Sequence, residues 1–283
     1  MTAARKRAVV VRLQHRHPGA SERRCCRVVG LARSSARYRP IRPRRDVGLS
    51  SELQQLAKRH PRFGYRRMGA LLRTNGWSVN DKRVARVWRE SGLRVPRRQI
   101  RRRRLGHSAN GCHRHVPLRP NHVWSYDFVS DQTEDGRTLK MLVVIDEFTR
   151  ECLAIHCARS IKGTDVVKVL AQLFAQRGVP GHVRSDNGPE FIAKSVRAFL
   201  ERLEVGPLYI QPGSPWENGY CESFNGKFRD EFLDRELLGN LKEAKILIEN
   251  WRIAYNTVRP HSALGYLAPV AYAKTVHNRQ INA

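Results

Sequence analysis

Three carboxylates stand where phosphoryl-transfer chemistry needs them. Asp186 ends a short strand-like run, V183-R-S185, and a helix-like segment follows it. Glu222 lies 36 positions on, in a segment that reads as helix, and Asp127 sits inside an aromatic strand-like run, V123-W-S-Y-D-F-V129. Acids from separate elements, each among apolar neighbours, can together hold divalent cations against a phosphodiester. An acid mid-strand between Tyr126 and Phe128 is costly to bury unpaired, which makes a purely structural role for Asp127 unattractive. Asp186 also suits a turn or a helix cap, as does Glu190, and Asn187-Gly188 suit the turn that aims Asp186. Asp131 and Asp146 read as surface acids, Trp216 as loop packing and His261 as structural.

Charge supplies a substrate for such a site. Residues 1–120 carry 33 Lys+Arg against 5 Asp+Glu, whereas residues 121–283 carry 20 of each. The whole excess of +28 therefore lies in a polyanion-binding half joined to an ordinary globular half. No apolar run approaches the roughly 20 residues of a membrane span, and the N-terminus has only a three-valine apolar stretch, too short for a signal peptide. The expectation is a cytoplasmic or nucleoid-associated protein with no membrane partner. Six cysteines without disulfide-framework spacing point to reduced thiols, and neither His15, His17, Cys25, Cys26 nor Cys112, His113, His115 has zinc-ligand spacing.

The elements that must position the acids follow from periodicity. Residues 1–45 read as a basic helical region with a possible helix-turn-helix: Ser21 caps one helix, Gly30 turns, Ser34-Ser35 start another, and a Pro/Arg linker, R39-P-I-R-P-R-R45, follows. Residues 46–95 read as a helix-turn-helix-like DNA-binding domain. Tyr65, Met68 and Leu72 fall on one helix face, Asn75-Gly76 breaks the helix, and Ser78 or Asn80 caps the next. There Val84, Val87 and Trp88 make the buried stripe, while Lys82, Arg86 and Arg89 line up as a recognition face, although a solvated helix face would look the same. Residues 96–120 form an Arg-rich linker whose Arg101, Arg102, Arg103 and Arg104 can track phosphates. From 121 the period changes: strands at 123–130, 139–146 and 151–157, a helix capped by Thr164 or Asp165, a strand at 182–185, a helix carrying Phe191, Phe199, Leu200 and Leu203, a strand at 207–211, helices at 218–234 and 241–256, and a turn-rich tail. This is an α/β fold, a mixed five-stranded sheet covered by helices, with the first strand central. The core spans 121–235, and 236–283 is a C-terminal helix and tail packed on it.

W124-S-Y-D-F, S185-D-N-G-P-E-F and S214-P-W-E-N-G-Y-C-E-S-F-N-G-K-F-R resemble the DDE catalytic core shared by retroviral integrases and many bacterial transposases, an RNase H-like fold. The 35 residues between Asp186 and Glu222 match that family's interval between its second and third acids. Arg229, seven residues after Glu222, stands where the family has a basic residue, often lysine, on the same helical face. The tail Y255-N-T-V-R-P-H-S-A-L-G-Y-L-A-P, with H60-P-R-F-G-Y-R-R-M and V79-N-D-K-R-V, resembles the OrfB protein of two-reading-frame insertion sequences of family three.

The resemblance implies a transposase that cleaves element ends and joins the 3′-hydroxyl to another strand of double-stranded DNA. It implies two Mg2+ ions, with Mn2+ able to substitute, Asp127 bridging them while Asp186 and Glu222 hold one each. The nucleophile is water or a DNA 3′-hydroxyl, so no protein nucleophile is required. Asn218 and Asn225 share the Glu222 helix and lie within reach of DNA. The resemblance further implies a circular intermediate, a homo-oligomer on DNA, and an OrfA partner or OrfA–OrfB fusion. The chain begins with Met1 and shows no leucine heptads, so the oligomerising OrfA part is expected to be absent. Two alternatives stay open: another RNase H-like nuclease, or a catalytically idle DNA-binding inhibitor or regulator.

Overall fold

The computed structural model describes residues 1–38, 42–96, 116–185, 193–209 and 219–281. The chain divides between Gln55 and Leu56 into two units. The first opens with α1 (Ala3–Arg16), α2 (Glu22–Val29) and α3 (Arg33–Arg37), closed around Val10, Cys25 and Cys26. Ser21 caps α2 as expected, its Oγ accepting the Arg24 N–H at 3.3 Å. Gly30, at φ +63°, ends that helix in the left-handed region, and the Leu31 N–H returns to the Cys26 carbonyl. The next helix starts at Arg33, ahead of the expected Ser34-Ser35, because Leu31 is drawn into the small core and sets its entry. The Pro/Arg linker is shorter than expected too. Residues 39–41 lie outside the described residues, and α4 runs from Arg42 to Arg59, Pro43 falling in its first turn, where a missing N–H costs nothing.

In the second unit α5 (Tyr65–Thr74) and α6 (Asp81–Glu90) meet through Met68, Leu72, Val84, Val87 and Trp88, all buried. Of the two candidate caps Asn80 is the one used: its Oδ1 accepts the Arg83 N–H at 2.8 Å. The sheet has the order β3-β2-β1-β4-β5, with β1 (Val123–Gln132) central as expected for an RNase H-like core. β2 (Thr138–Asp146) runs antiparallel beside it, with β3 (Cys152–Ala158) antiparallel to β2 beyond; β4 (His182–Ser185) and β5 (Gly206–Tyr209) run parallel on its other side.

Alternation along β1 decides which residue faces which layer. Trp124 and Tyr126 join the core under α7 (Gly163–Arg177) and α8 (Lys194–Arg202). Val129 belongs to the opposite core, under α9 (Gly219–Phe228) and α10 (Leu241–Thr257), so Asp127, two residues earlier, faces α9. That core is aromatic: Phe224 and Phe228 of α9 and Phe232 just beyond it stack in line and pack against Trp251 and Tyr255 of α10. α9 continues through a π-helical turn, Arg229–Leu233, so together they fill most of the expected 218–234 helix.

Several expectations change. The cap of α7 is Lys162, two residues before Thr164, and Asp165 acts from inside the first turn by accepting the Lys162 N–H at 3.0 Å. Leu203 sits at the end of α8 and is 38% exposed, so it does not join the core; Phe191 lies outside the described residues. The tail carries a helix the turn signals hid, α11 (Pro269–Ile281): Pro269 suits a first helical position, and Ala, Lys and Gln favour the helix after it. Asp146 is buried, not at the surface. Its carboxylate accepts the N–H groups of Asn121, Phe148 and Thr149 at 2.7, 2.7 and 2.9 Å, which fixes the β2–β3 turn. Burial pushes its pKa up while those three bonds pull the other way. No disulfide joins the five described cysteines, all of them buried.

Candidate active site

Asp127 is half-buried in the central strand, opposite Val143 of β2. Its Oδ1 accepts the Phe128 N–H at 2.7 Å, and its Oδ2 accepts the Nδ2 of Asn225 at 2.8 Å. Glu222 is exposed on α9, three residues before Asn225 and so on the neighbouring turn of one face. The bond from Asn225 therefore ties the helix of the third acid to the strand of the first. Sequence reading had set Asn225 only within reach of DNA; its three-residue spacing from Glu222 was the available signal of a closer role. Asp186 lies outside the described residues, as do Asn187, Gly188, Glu190, Trp216 and Asn218. β4 ends at Ser185, one residue before Asp186, and pairs with β1 through Ser125 opposite Arg184. Arg184 is 4% exposed and ion-paired at 3.2 Å to Glu147, which is fully buried and also takes the Ser125 hydroxyl bond.

The donor set suits a hard cation. Asp127 and Glu222 offer carboxylate oxygens, and the amide Oδ1 of Asn225 is buried without a hydrogen-bond partner beside Asp127. Among the described residues no three His, Cys, Asp or Glu converge on a metal-holding group. No helix among them is long and apolar enough to cross a membrane.

The expected DNA contacts divide. Lys82 and Arg89 are exposed on α6, while Arg86 is half-buried and paired with Glu90 at 2.9 Å. Arg229 is exposed, and its Nη2 donates at 3.2 Å to the carbonyl of Ser130, three residues past Asp127 in β1. Arg101, Arg102, Arg103 and Arg104 lie outside the described residues. The H60-P-R-F-G-Y-R-R motif docks inward. Arg67 donates to Glu231 at 3.0 Å, Arg62 pairs with Asp230, and Phe63 is buried under the Arg67 and Arg259 guanidiniums.

His261, expected to be structural, is 8% exposed with its Nδ1 unpartnered. Burial first, then the surrounding Lys227 and arginines, holds its pKa down to about 3 from an ordinary 6.5. The unfolded chain takes up a proton below pH 6.5 and the native one does not until about pH 3, so this part of the stability is full above 6.5 and is lost as pH falls. Between pH 7 and pH 5 the wild type should lose about 2 kcal/mol more than His261→Gln does, read by urea unfolding at both pH values. Equal losses would show that His261 takes no part.

Family models match three stretches: an HTH-like domain at residues 44–103, an integrase core domain at 117–215 and a further integrase core domain at 203–269. The chain is 40% identical over 278 residues to an uncharacterized 39.2 kDa protein of insertion element IS476 from Xanthomonas euvesicatoria, across 98% of this chain and 79% of that one. It is 43% identical over 253 residues to an uncharacterized 31.7 kDa protein of insertion element IS407 from Burkholderia multivorans, across 89% of this chain and 90% of that one. It is 29% identical over 230 residues to transposase InsD of insertion element IS2 from Escherichia coli, across 76% and 74%.

Proposed function

The chain belongs to the integrase-core transposases of bacterial insertion elements, the OrfB-type DDE enzymes of family three, and from that premise we propose that Asp127, Asp186 and Glu222 are its catalytic acids. As a DDE-type transposase it acts on DNA, and its integrase-core family is metal-dependent. The observation that carries the assignment is the 2.8 Å bond from Asn225, on the Glu222 helix, to the Asp127 carboxylate. It holds one carboxylate oxygen in place and keeps the two elements in register.

Asp127, Asp186 and Glu222 would hold two Mg2+ ions, with Mn2+ able to substitute. Bound there, the cations offset charge building on the phosphate and acidify the attacking water or 3′-hydroxyl. Asp127 contributes a fixed, oriented carboxylate in the strand, and Glu222 one on an exposed helix face. Arg229, Lys82, Arg86, Arg89 and Arg101 to Arg104 supply cations for the DNA backbone. The domain limits read from sequence (1–45, 46–95, 96–120, 121–235 and 236–283) belong to the same proposal. So do an OrfA partner or fusion, oligomerisation on DNA, and a cytoplasmic, nucleoid-associated location.

The test is direct. Purified protein, with and without an OrfA fusion, is incubated with labelled element-end duplex and magnesium or manganese, beside Asp186→Asn. Joined products that vanish in the variant support the reading. Cleavage of RNA–DNA hybrids or four-way junctions without joining points to another RNase H-like nuclease, and metal-independent binding alone to an idle regulator.

A further inference from the structure

On α9 the side away from the acids faces a cavity. Tyr220, Ser223 and Lys227 recur at three and four residues, turned by roughly 100° or more from Glu222. Together with Arg150, Tyr255 and His261 they line a cavity of about 260 Å³. Among the described residues no carboxylate lines it, and their polar groups there include donors and cations. Arg150 comes from the β2–β3 turn that Asp146 fixes, is held at φ +62°, and lays its guanidinium 3.6 Å over the Tyr220 ring. Its Nη1 is buried without a hydrogen-bond partner, as is the Nδ1 of His261. The Lys227 ammonium donates to the Ser223 hydroxyl at 2.8 Å.

Among the described residues Glu231 is the acid that acts on Lys227, and Arg67 and Arg259 already occupy both of its oxygens. Burial, then Arg259 with Arg67 and Arg150, holds the Lys227 pKa down to about 8. Buried donors without acceptors and cations without a counter-charge are each costly. A tetrahedral oxyanion answers both, offering several acceptors and charge-assisted bonds to arginine and lysine.

We propose that the cavity between α9 and the β2–β3 turn is a phosphate-binding site, with Arg150, Lys227 and Ser223 as donors and His261 as its neutral wall, and that its occupant is a backbone phosphate of bound DNA. The anion site stands on its own geometry; the choice of DNA as occupant rests on the transposase reading. The site would seat a strand on the flank of the Glu222 helix, separate from the acids.

The experiment uses the full chain carrying 15N-histidine, in metal-free buffer, titrated with inorganic phosphate at constant ionic strength against a chloride control. His261→Gln identifies the His261 ring signals. Those signals should shift saturably with phosphate and not with chloride. Lys227→Met and, separately, Arg150→Gln should weaken the affinity by about tenfold or more, as loss of a charged hydrogen bond does. Having two variants on different elements keeps the test usable if one fails to fold. An absent shift, an equal response to chloride, or full affinity in a folded variant overturns the site. Element-end duplex added without phosphate should shift the same His261 signals, and in competition it should raise the phosphate concentration needed for half-saturation. Duplex that leaves those signals in place and does not compete with phosphate overturns DNA as the occupant and leaves free phosphate. Run on Asp127→Asn, the same competition should be unchanged, so a failure of the catalytic assignment is read separately from a failure of the pocket.

Discussion

Asp127→Asn should abolish strand transfer, by on the order of 10³-fold or more, while leaving the fold and DNA affinity almost unchanged. Asparagine matches aspartate in size and keeps an oxygen for the Phe128 N–H, so β1 and its aromatic neighbours have no reason to shift. What disappears is one negative charge in the central strand; the new NH2 can keep a bond to Asn225 when that amide turns over to present its otherwise unpartnered Oδ1. Charge stabilisation of several kcal/mol at a phosphoryl-transfer centre, at about 1.4 kcal/mol per decade of rate, gives that magnitude. Asn225→Ala provides the scale. It keeps the carboxylate and removes only the bond that orients it, for which about 10- to 100-fold is expected. Single-turnover joining assays with a duplex-binding measurement on the same preparations check both. Asp127→Asn retaining a tenth of wild-type joining would remove Asp127 from the catalytic set, and equal losses in the two variants would mean that charge is not what matters.

Local chemistry was legible in the sequence, and contacts across long stretches of chain were not. Alternation around Trp124, Tyr126 and Val129 announced a strand buried on both faces, and that pattern alone turns Asp127 toward the layer opposite Trp124. Ser21 and Asn80 announced their helices because a cap acts within three residues. Asp146 misled for the opposite reason: one of its three donors, Asn121, lies 25 residues upstream, and only the folded hairpin brings the two together. Asn225 meets Asp127 across 98 residues, and the Arg67–Glu231 pair spans 164. Pattern reading also put α11 down as tail, since the turn signals of R259-P-H-S-A-L-G stop short of Pro269, after which helix formers take over. Asp186 lies outside the described residues, so its place in the triad rests on the sequence interval and on family membership.

Glu231→Gln should destabilise the larger unit by about 3–5 kcal/mol, lowering its melting temperature by roughly 10 °C. Glu231 sits in the π-helical turn after α9 with 8% of its side chain exposed, and its two oxygens take three bonds. Arg259 donates through Nε and Nη2 at 2.6 and 2.5 Å, and Arg67 through Nη1 at 3.0 Å. The Arg259 side chain is 4% exposed and that of Arg67 26%, and burial together with Arg259 already holds the Arg67 pKa below its ordinary value. One buried and one half-buried guanidinium beside Lys227 would lose the counter-charge they share among the described residues, whereas glutamine keeps one acceptor oxygen and no charge. The loss therefore measures unpaired cations, and a second change can test that: Arg67→Met placed on Glu231→Gln should recover part of it, because one stranded charge is gone. Thermal melts of the two single variants and the double variant decide the matter. A loss below about 1 kcal/mol in Glu231→Gln would mean that water serves the arginines as well as glutamate does. A double variant less stable than the additive sum would mean that Arg67 holds α5 against α10 by packing on Phe63, with its charge incidental.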